Sequence, residues 1–181
     1  EPPTQVDGRW RRLLRNLLPT RCLVCREAGI DGRDLCAPCT AALPWMPHAC
    51  SQCAQPLPAD DPLCGRCLRR PPPLGAVVAA FDYRFPVDRL LPRFKFHRDL
   101  AAGALLGDCL SQATQHAGRP EALVPVPLHV ARLRERGYDQ ALELARVLAR
   151  GHGLPLGADL LRRVRATAPQ SRLDAKARRR N

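Results

Sequence analysis

The chain has 181 residues, of which 45% are hydrophobic and 4% aromatic, and its formal net charge is +12 at pH 7. This length allows one medium-sized domain, or a small domain beside a moderate one. No apolar run approaches the roughly 20 residues of a membrane-spanning helix. From Arg132 to Asn181 there are thirteen basic and five acidic residues. This excess predicts an anionic partner such as phosphates or nucleic acid, the alternative being a solvated basic face.

Residues 1–21 are predicted to form a lead-in with one short amphipathic helix. The apolar side chains that share one side of this helix are Trp10, Leu13, Leu14, Leu17 and Leu18. The segment has neither the apolar h-region nor the small-residue cleavage site of a secretory signal. We therefore interpret it as a packing element rather than a membrane anchor, and expect a soluble, cytoplasmic chain.

Residues 22–67 carry four Cys-x-x-Cys pairs whose first members recur every 14 residues. The candidate metal ligands are Cys22, Cys25, Cys36, Cys39, Cys50, Cys53, Cys64 and Cys67. Each pair can present two thiolates from a tight turn, and two pairs complete a tetrahedral zinc site. Nothing marks the chain as secreted, and a redox enzyme needs one such pair rather than four, so zinc is favoured over disulfides or a reactive dithiol. We predict a double zinc ribbon with two structural Zn²⁺ ions, whose binding supplies the free energy of folding.

The cysteine pattern contains a closer repeat of 28 residues. The segments CREAGIDGRDLCAPC (25–39) and CAQPLPADDPLCGRC (53–67) each combine a turn containing acidic residues with Leu-Cys-x-x-Cys. The repeating unit is therefore two pairs long, which favours one zinc on Cys22–Cys39 and the other on Cys50–Cys67. A cross-braced pairing stays open, because ligand spacing alone does not decide it. The ninth cysteine, Cys109, is interpreted as a small buried core residue.

The composition changes after LRRPPPLG (68–75), which predicts a proline-rich linker before a second domain at residues 76–181. Strands are predicted over 76–83, 122–126 and 159–164. Helices are predicted over 98–115 and over 140–150, the second capped by Asp139 and stopped by Gly151. Alternating strands and helices predict an α/β fold with a parallel sheet and crossover helices.

The loop 127–138 lies between a predicted strand and a predicted helix, where parallel sheets place their functional sites. Arg132, Arg134 and Arg136 offer bidentate positive charge to phosphate oxygens. Gly137 lets the backbone approach a ligand closely, and the following helix would add free N–H groups. These residues predict an anion site, the alternative being a solvated loop with incidental arginines.

On these motifs the chain resembles the ComF family, a phosphoribosyltransferase-like group linked to bacterial DNA uptake. The resemblance runs from Leu17 to Asn181 and begins with the double zinc ribbon. It continues through FDYRFPVDRLLPRFKFHRD (81–99), similar to the family's aromatic strand and lysine-containing segment. Its most specific match is PVPLHVARLRERGYDQA (125–141). The last segment, RRVRATAPQSRLDAKARRRN (162–181), resembles R-x-R-x-T-x-P-Q-x-x-L followed by R-x-x-N.

The resemblance implies a Rossmann-like type I phosphoribosyltransferase fold that binds phosphoribosyl pyrophosphate with Mg²⁺ and displaces pyrophosphate from the anomeric carbon. The implied pyrophosphate-contacting residues are Arg132, Arg134, Arg136, Gly137 and Tyr138. The tail 165–181 would be the mobile loop that closes over the sugar, and the implied closing residues are Arg163, Arg165, Gln170 and Arg178. The implied macromolecular partners are single-stranded DNA and a DNA-uptake helicase.

The sequence departs from the family pattern in three places. In the family, a strand ending in paired acids and a Thr/Gly-rich phosphate loop lie downstream of R-x-x-N. We therefore expect this chain to be a C-terminally incomplete fragment, inactive by itself, of a glycosyltransferase-class enzyme. Asp139 stands where Asn is usual, so its charge would oppose a neighbouring pyrophosphate, and Ala177 stands where an acidic residue is common. The alternative hypothesis is a non-catalytic zinc-ribbon module that contacts single-stranded DNA or DNA-uptake proteins.

Overall fold

The computed structural model of the chain describes residues 20–58, 61–167 and 174. The described part forms six helices: α1 (Ala37–Ala41), α2 (Gly65–Arg69), α3 (Val87–Phe96), α4 (Leu100–Ala113), α5 (Val130–Arg136) and α6 (Gln140–His152). Within these residues the extended pairings are four isolated β-bridges rather than regular strands. None of the described helices is long and apolar enough to cross a membrane. The helix predicted within residues 1–21 lies outside the described residues.

The 28-residue repeat of the sequence is confirmed as a repeat of backbone structure. We call residues 20–41 the first ribbon unit and residues 48–69 the second ribbon unit. The antiparallel bridges at matching positions are Arg21–Ala28 and Ala49–Pro56. The matching hydrogen bonds run from Cys22 N to Glu27 O at 2.8 Å and from Cys50 N to Gln55 O at 2.9 Å. The short helices α1 and α2 follow N-cap residues Cys36 and Cys64, which have the same extended conformation.

The two ribbon units differ in what surrounds them. Residues of the first unit belong to the main hydrophobic core together with α3 and α4; the buried members of this core are Cys22, Leu35, Cys36, Leu43, Leu90, Phe94, Ala102, Leu105, Leu106 and Cys109. The second unit forms a separate small cluster around Cys50, Cys64 and Cys67. The core of the second predicted domain therefore extends upstream into the first ribbon. The predicted burial of Cys109 is confirmed, since the residue is 7% exposed.

Helices α4 and α6 pack side by side and run in the same direction. A Cβ on Gly107 would lie 2.9 Å from Val147 Cβ, and one on Gly151 would lie 2.6 Å from Ser111 Oγ. The two helices thus approach most closely where glycines remove side chains. The predicted stop of α6 at Gly151 is wrong: Gly151 stays helical, and the helix ends at His152 with Gly153, whose φ is 61°, as its C-cap. The predicted helix 98–115 and the Asp139 cap are confirmed.

The predicted strand 122–126 is reduced to one parallel bridge between Leu123 and Leu156. Leu123 N donates to Pro155 O, and Gly157 N donates to Leu123 O, both at 2.9 Å. In a parallel ladder the next donor on this side would be the N–H of residue 125. Pro125 has no N–H, so the ladder cannot continue.

The other two strand predictions are wrong for physical reasons that the structure shows. Segment 76–83 bonds to the stretch that joins the two ribbon units, through an antiparallel Trp45–Phe81 bridge and a hydrogen bond from Met46 N to Ala80 O of 3.1 Å. The backbone groups of this segment therefore bond near Trp45 and do not extend the pairing of Leu123 with Leu156. Segment 159–164 has no bridge, and its apolar side chains are exposed, Val164 by 83%.

Candidate functional site

Each ribbon unit brings its four sulfur atoms together. In both groups all four sulfurs lie within 4.8 Å of one another, and the grouping is sequential: Cys22, Cys25, Cys36 and Cys39 in one, and Cys50, Cys53, Cys64 and Cys67 in the other. All of these cysteines are free thiols. The sequential pairing is therefore confirmed over the cross-braced alternative.

The sulfur spacing fits tetrahedral zinc. With Zn–S bonds of about 2.3 Å, tetrahedral geometry separates the sulfurs by about 3.8 Å. Cys25 Sγ and Cys36 Sγ lie 3.5 Å apart, and Cys53 Sγ and Cys64 Sγ lie 3.8 Å apart. Four thiolates leave no open coordination position, so the donor set is that of a structural zinc rather than a catalytic one.

The protein itself favours some thiolates and disfavours others. Burial raises the pKa of the Cys22 thiol, but backbone N–H groups outweigh it and lower that pKa to about 6. The backbone N–H of Cys64 contributes most to lowering the pKa of Cys50, also to about 6. Burial and the neighbouring thiols raise the pKa of Cys67 to about 12. A bound cation must therefore displace protons, which couples zinc affinity to pH and to folding.

One difference between the two metal sites is the side chain of Arg66 at the second. The Arg66 guanidinium donates a hydrogen bond to the Cys53 sulfur, and this bond with the surrounding thiolate charge raises the pKa of Arg66. The position 28 residues earlier is Pro38, which has no such donor. Arginine at the second site offsets part of the negative charge that four thiolates leave on a zinc centre.

The predicted arginine loop is largely a helix. Residues 130–136 form α5, and Gly137 ends it with a φ of 86°, in the left-handed region that glycine adopts most easily. Arg134 is exposed and has no hydrogen bond or ion pair among the described residues. The corner between α5 and α6 therefore presents arginines from the last turn of one helix beside the first turn of the next.

Asp139 joins the two sides of this corner. Its Oδ1 accepts hydrogen bonds from Ala141 N at 2.9 Å and Leu142 N at 3.2 Å, which caps α6, and its Oδ2 accepts one from Leu128 N at 2.8 Å. Three backbone donors thus compensate the carboxylate charge that was expected to oppose an anion here. The cost of Asp in place of Asn is correspondingly smaller than the sequence suggested.

The side chains of Arg136 and Tyr138 are both held. Arg136 Nη1 donates to Gln140 Oε1 at 2.8 Å, and its guanidinium lies 5.4 Å from the centroid of the Phe96 ring. The Tyr138 hydroxyl donates to the carbonyl of Phe94, and the centroids of their rings lie 5.5 Å apart. Tyr138 is therefore engaged with α3, and burial raises its pKa.

The two groups of predicted substrate residues meet at Thr167. Arg132 Nη2 donates to Thr167 O at 3.3 Å, and Arg163 Nη2 donates to Thr167 Oγ1 at 2.6 Å. The structure thus brings Arg132 and Arg163 together, while Arg165 is exposed. The remaining predicted residues, Gln170 and Arg178, lie outside the described residues.

Sequence reasoning missed α3 and the turn that follows it. Segment 81–99 was interpreted only by its resemblance to the family's aromatic strand and lysine-containing segment, and no helix was predicted there, but Val87, Leu90 and Phe94 are the buried residues of a helix. Their spacing of three and four residues is a helical signal that could have found it. Arg98 follows this helix with a φ of 56°. Its guanidinium lies beside Gly137, because a Cβ at Gly137 would be 3.8 Å from Arg98 Nε.

The amino-acid sequence is similar to one domain family and to several known proteins. Residues 13–68 match the double zinc ribbon domain family. The chain is 34% identical over 171 residues to DNA utilization protein YhgH of Salmonella typhimurium, covering 91% of this chain and 75% of that protein. It is 33% identical over 171 residues to DNA utilization protein YhgH of Escherichia coli K12, with the same coverage. It is 33% identical over 175 residues to Competence protein F of Haemophilus influenzae, covering 93% of this chain and 76% of that protein. No solved structure matches the chain.

Proposed function

The chain belongs to the ComF family, and on that premise we propose that it is a phosphoribosyltransferase-like protein that acts in DNA uptake or utilisation. In this proposal the corner between α5 and α6 binds the pyrophosphate of phosphoribosyl pyrophosphate. Both ribbon units hold structural zinc, and the first unit also positions the helices of the second domain through the core that it shares with α3 and α4.

The observation that carries the proposal is the pair Arg134 and Arg136 at the corner between α5 and α6, which we call the arginine corner. Arg134 has no partner among the described residues, and the acceptor of Arg136 is a neutral amide, Gln140 Oε1. Neither guanidinium is neutralised by a carboxylate there. Because Gln140 and the Phe96 ring fix Arg136, its remaining N–H groups are oriented before a ligand arrives, which suits recognition of a phosphate group.

The order of elements also supports an α/β phosphoribosyltransferase-like domain. Helix α4 is followed by the extended residue Leu123, and α6 is followed by Leu156. The two helices are parallel, and the two extended residues pair in parallel. This is one turn of the helix–strand alternation from which parallel α/β sheets are built. In such folds the segment after a strand carries the ligand site, and here that segment leads into α5.

The chemistry proposed for this corner is electrostatic. Arg134 and Arg136 would neutralise the leaving pyrophosphate as the bond to the anomeric carbon breaks, and Arg132 with Arg163 would hold Thr167 beside the site. Among the described residues the only clusters suited to a metal are the two groups of four cysteines. We therefore propose that Mg²⁺ enters bound to the phosphate oxygens of the substrate.

Calorimetric titration of the chain with phosphoribosyl pyrophosphate and Mg²⁺ tests this function. We expect saturable binding, weakened about a hundredfold in an Arg134→Ala/Arg136→Ala variant, because two charge-assisted hydrogen-bonding groups are lost. The matched control is Arg146→Ala/Arg150→Ala, which removes the same charge from α6. Absence of binding, or equal weakening in both double variants, would reject the assignment of this corner.

A second candidate function is a non-catalytic module that contacts single-stranded DNA or DNA-uptake proteins, such as a helicase. The observation in its favour is that the second ribbon unit lies outside the main core and ends at the exposed Arg69, which the exposed Arg70 follows. Fluorescence anisotropy with a single-stranded oligonucleotide, repeated over a range of salt concentrations, tests it. Binding whose salt slope falls by about 1.4 in Arg69→Gln/Arg70→Gln supports this candidate. A slope equal to that of Arg146→Gln/Arg150→Gln argues against it.

A further inference from the structure

We propose that Arg98, in the turn between α3 and α4, is a further phosphate-binding residue of the corner formed by α5 and α6, beside Arg134 and Arg136. This inference rests on the proposed function, because it adds a residue to the same pyrophosphate site. Arg98 lies more than thirty residues upstream of that site in the sequence. Only the tertiary structure makes it a neighbour.

Two adjacent contacts join the turn to the corner. The Arg136 guanidinium lies over the ring of Phe96 at 5.4 Å. Two residues further along, the Arg98 guanidinium lies beside Gly137, with Nε at 3.8 Å and Cζ at 3.9 Å from the position of a Cβ there. Phe96 therefore contacts Arg136, and Arg98 contacts Gly137. We call this pair of adjacent contacts the seam. The guanidinium of Arg98 comes close to this backbone at a residue without a side chain.

The backbone of Arg98 is held in a conformation that glycine would adopt more easily. Its φ is 56°, in the left-handed region, at the position just after the cap of α3 where glycine is the usual residue. The flanking residues are fixed: His97 N and Asp99 N both donate to Arg93 O, at 2.9 and 3.3 Å, and Asp99 caps α4. A long charged side chain at such a position is a reason to look for a function.

The charge of Arg98 has no partner within the described residues. The nearby acid Asp99 is engaged by Arg93 Nη2 at 2.6 Å and by Ala102 N at 3.0 Å. Asp139 accepts three backbone hydrogen bonds. The seam thus contains the guanidinium groups of Arg98 and Arg136, and neither of them makes an ion pair with a carboxylate among the described residues. An anion with several oxygens, such as a diphosphate, supplies the acceptors that this group lacks.

Isothermal titration of the full chain with inorganic pyrophosphate tests the inference. We expect Arg98→Gly to bind pyrophosphate at least tenfold more weakly than the unchanged chain. The same substitution should raise the melting temperature, because glycine relieves the left-handed backbone. A residue with a purely structural role would not combine weaker binding with greater stability. Arg98→Gln provides a second variant that removes the charge and keeps a long side chain.

The matched control is Arg89→Gln, which removes an exposed arginine from the first half of α3, about 10 Å along the helix from its last residue, Phe96. Binding should be within twofold of the unchanged chain in this control. If Arg98→Gln binds as tightly as Arg89→Gln, while Arg134→Ala/Arg136→Ala binds weakly, the role of Arg98 is wrong and the proposed site stands. If the unchanged chain does not bind pyrophosphate, the proposed site is wrong, and the role of Arg98 fails with it.

Discussion

The first and second ribbon units have the same local structure in different surroundings. Their sulfur groups, bridges and short helices repeat with an offset of 28 residues. Yet residues of the first unit are buried in one core with α3 and α4, while the second unit has only its own cluster. The residues of one ribbon unit are therefore enough to form a zinc site. Which other parts of the fold depend on that site is decided by the side chains that pack against the unit.

The greatest effect should come from removing one ligand at matched positions, Cys36→Ser in the first unit and Cys64→Ser in the second. Zinc contributes about 10–16 kcal/mol in isolated zinc-binding peptides, as much as the whole stability of a typical domain. Because the first site shares the main core, Cys36→Ser should abolish the cooperative melting of α3 and α4. Cys64→Ser should leave the helical circular dichroism and its melting midpoint nearly unchanged. Elemental analysis should find one zinc ion in Cys64→Ser and two in the unchanged chain.

The contrast between the units would be wrong if the two serine variants behaved alike. Loss of cooperative melting in Cys64→Ser would mean that the second unit supports the core despite its separate cluster. Full helical signal and an unchanged midpoint in Cys36→Ser would mean that the shared core folds without the first metal.

An intermediate effect is expected at Arg93, the side chain that connects the first unit to the helices. Its guanidinium donates to Leu23 O at 2.5 Å and pairs with Asp99 at 2.6 Å. Arg93→Met keeps the apolar stem but removes both interactions, at a cost of about 2 kcal/mol. For a chain of this size the melting midpoint should fall by about 4–8 °C. Hydrogen exchange should quicken in residues 22–39 and stay unchanged in residues 50–58, with Arg89→Met as the exposed control on the same helix.

A smaller effect is expected at Arg66, which bonds the Cys53 sulfur in the second unit alone. Without this donor the thiolate is less well stabilised beside the metal, and a change in such a supporting contact typically costs tenfold or more in metal affinity. Arg66→Gln should therefore lose one of its two zinc ions about tenfold faster to a chromogenic chelator, with an unchanged melting midpoint. Arg69→Gln, which removes the next arginine of α2, should lose zinc at the original rate. Equal rates in the two variants would show that Arg66 does not support the site.

The helices and the strands were not equally predictable. Helices α4 and α6 were predicted because amphipathic spacing, and for α6 also the Asp139 cap, act within one segment. Strands depend on partners, and the partners of residues 76–83 are backbone groups near Trp45 that no local pattern indicates. Even so, Pro125 carried a usable warning in the sequence, since a residue without an N–H cannot extend the ladder at Leu123.

In the arginine corner, too, the features that depend on neighbouring residues were predictable and the contacts with distant residues were not. Its chemical character could be predicted, because Arg134, Arg136 and Gly137 are close in the sequence. The engagement of Tyr138 by Phe94, and the presence of Arg98 beside Gly137, could not be predicted. These contacts join residues about forty positions apart, and their formation depends on how α3 packs against the start of α6.

The amino-acid sequence alone specifies the eight ligands, their 28-residue repeat and the leucine that precedes each second pair. Leu35 and Leu63 occupy matching positions there, with no local feature that separates their environments. It is the packing of the folded chain that buries Leu35 in the main core, at 2% exposure, and leaves Leu63 partly exposed beside the second site. The physical reason is that metal ligation needs only a few neighbouring residues, whereas burial requires a partner surface. In this chain α3 and α4 supply that surface to the first unit alone.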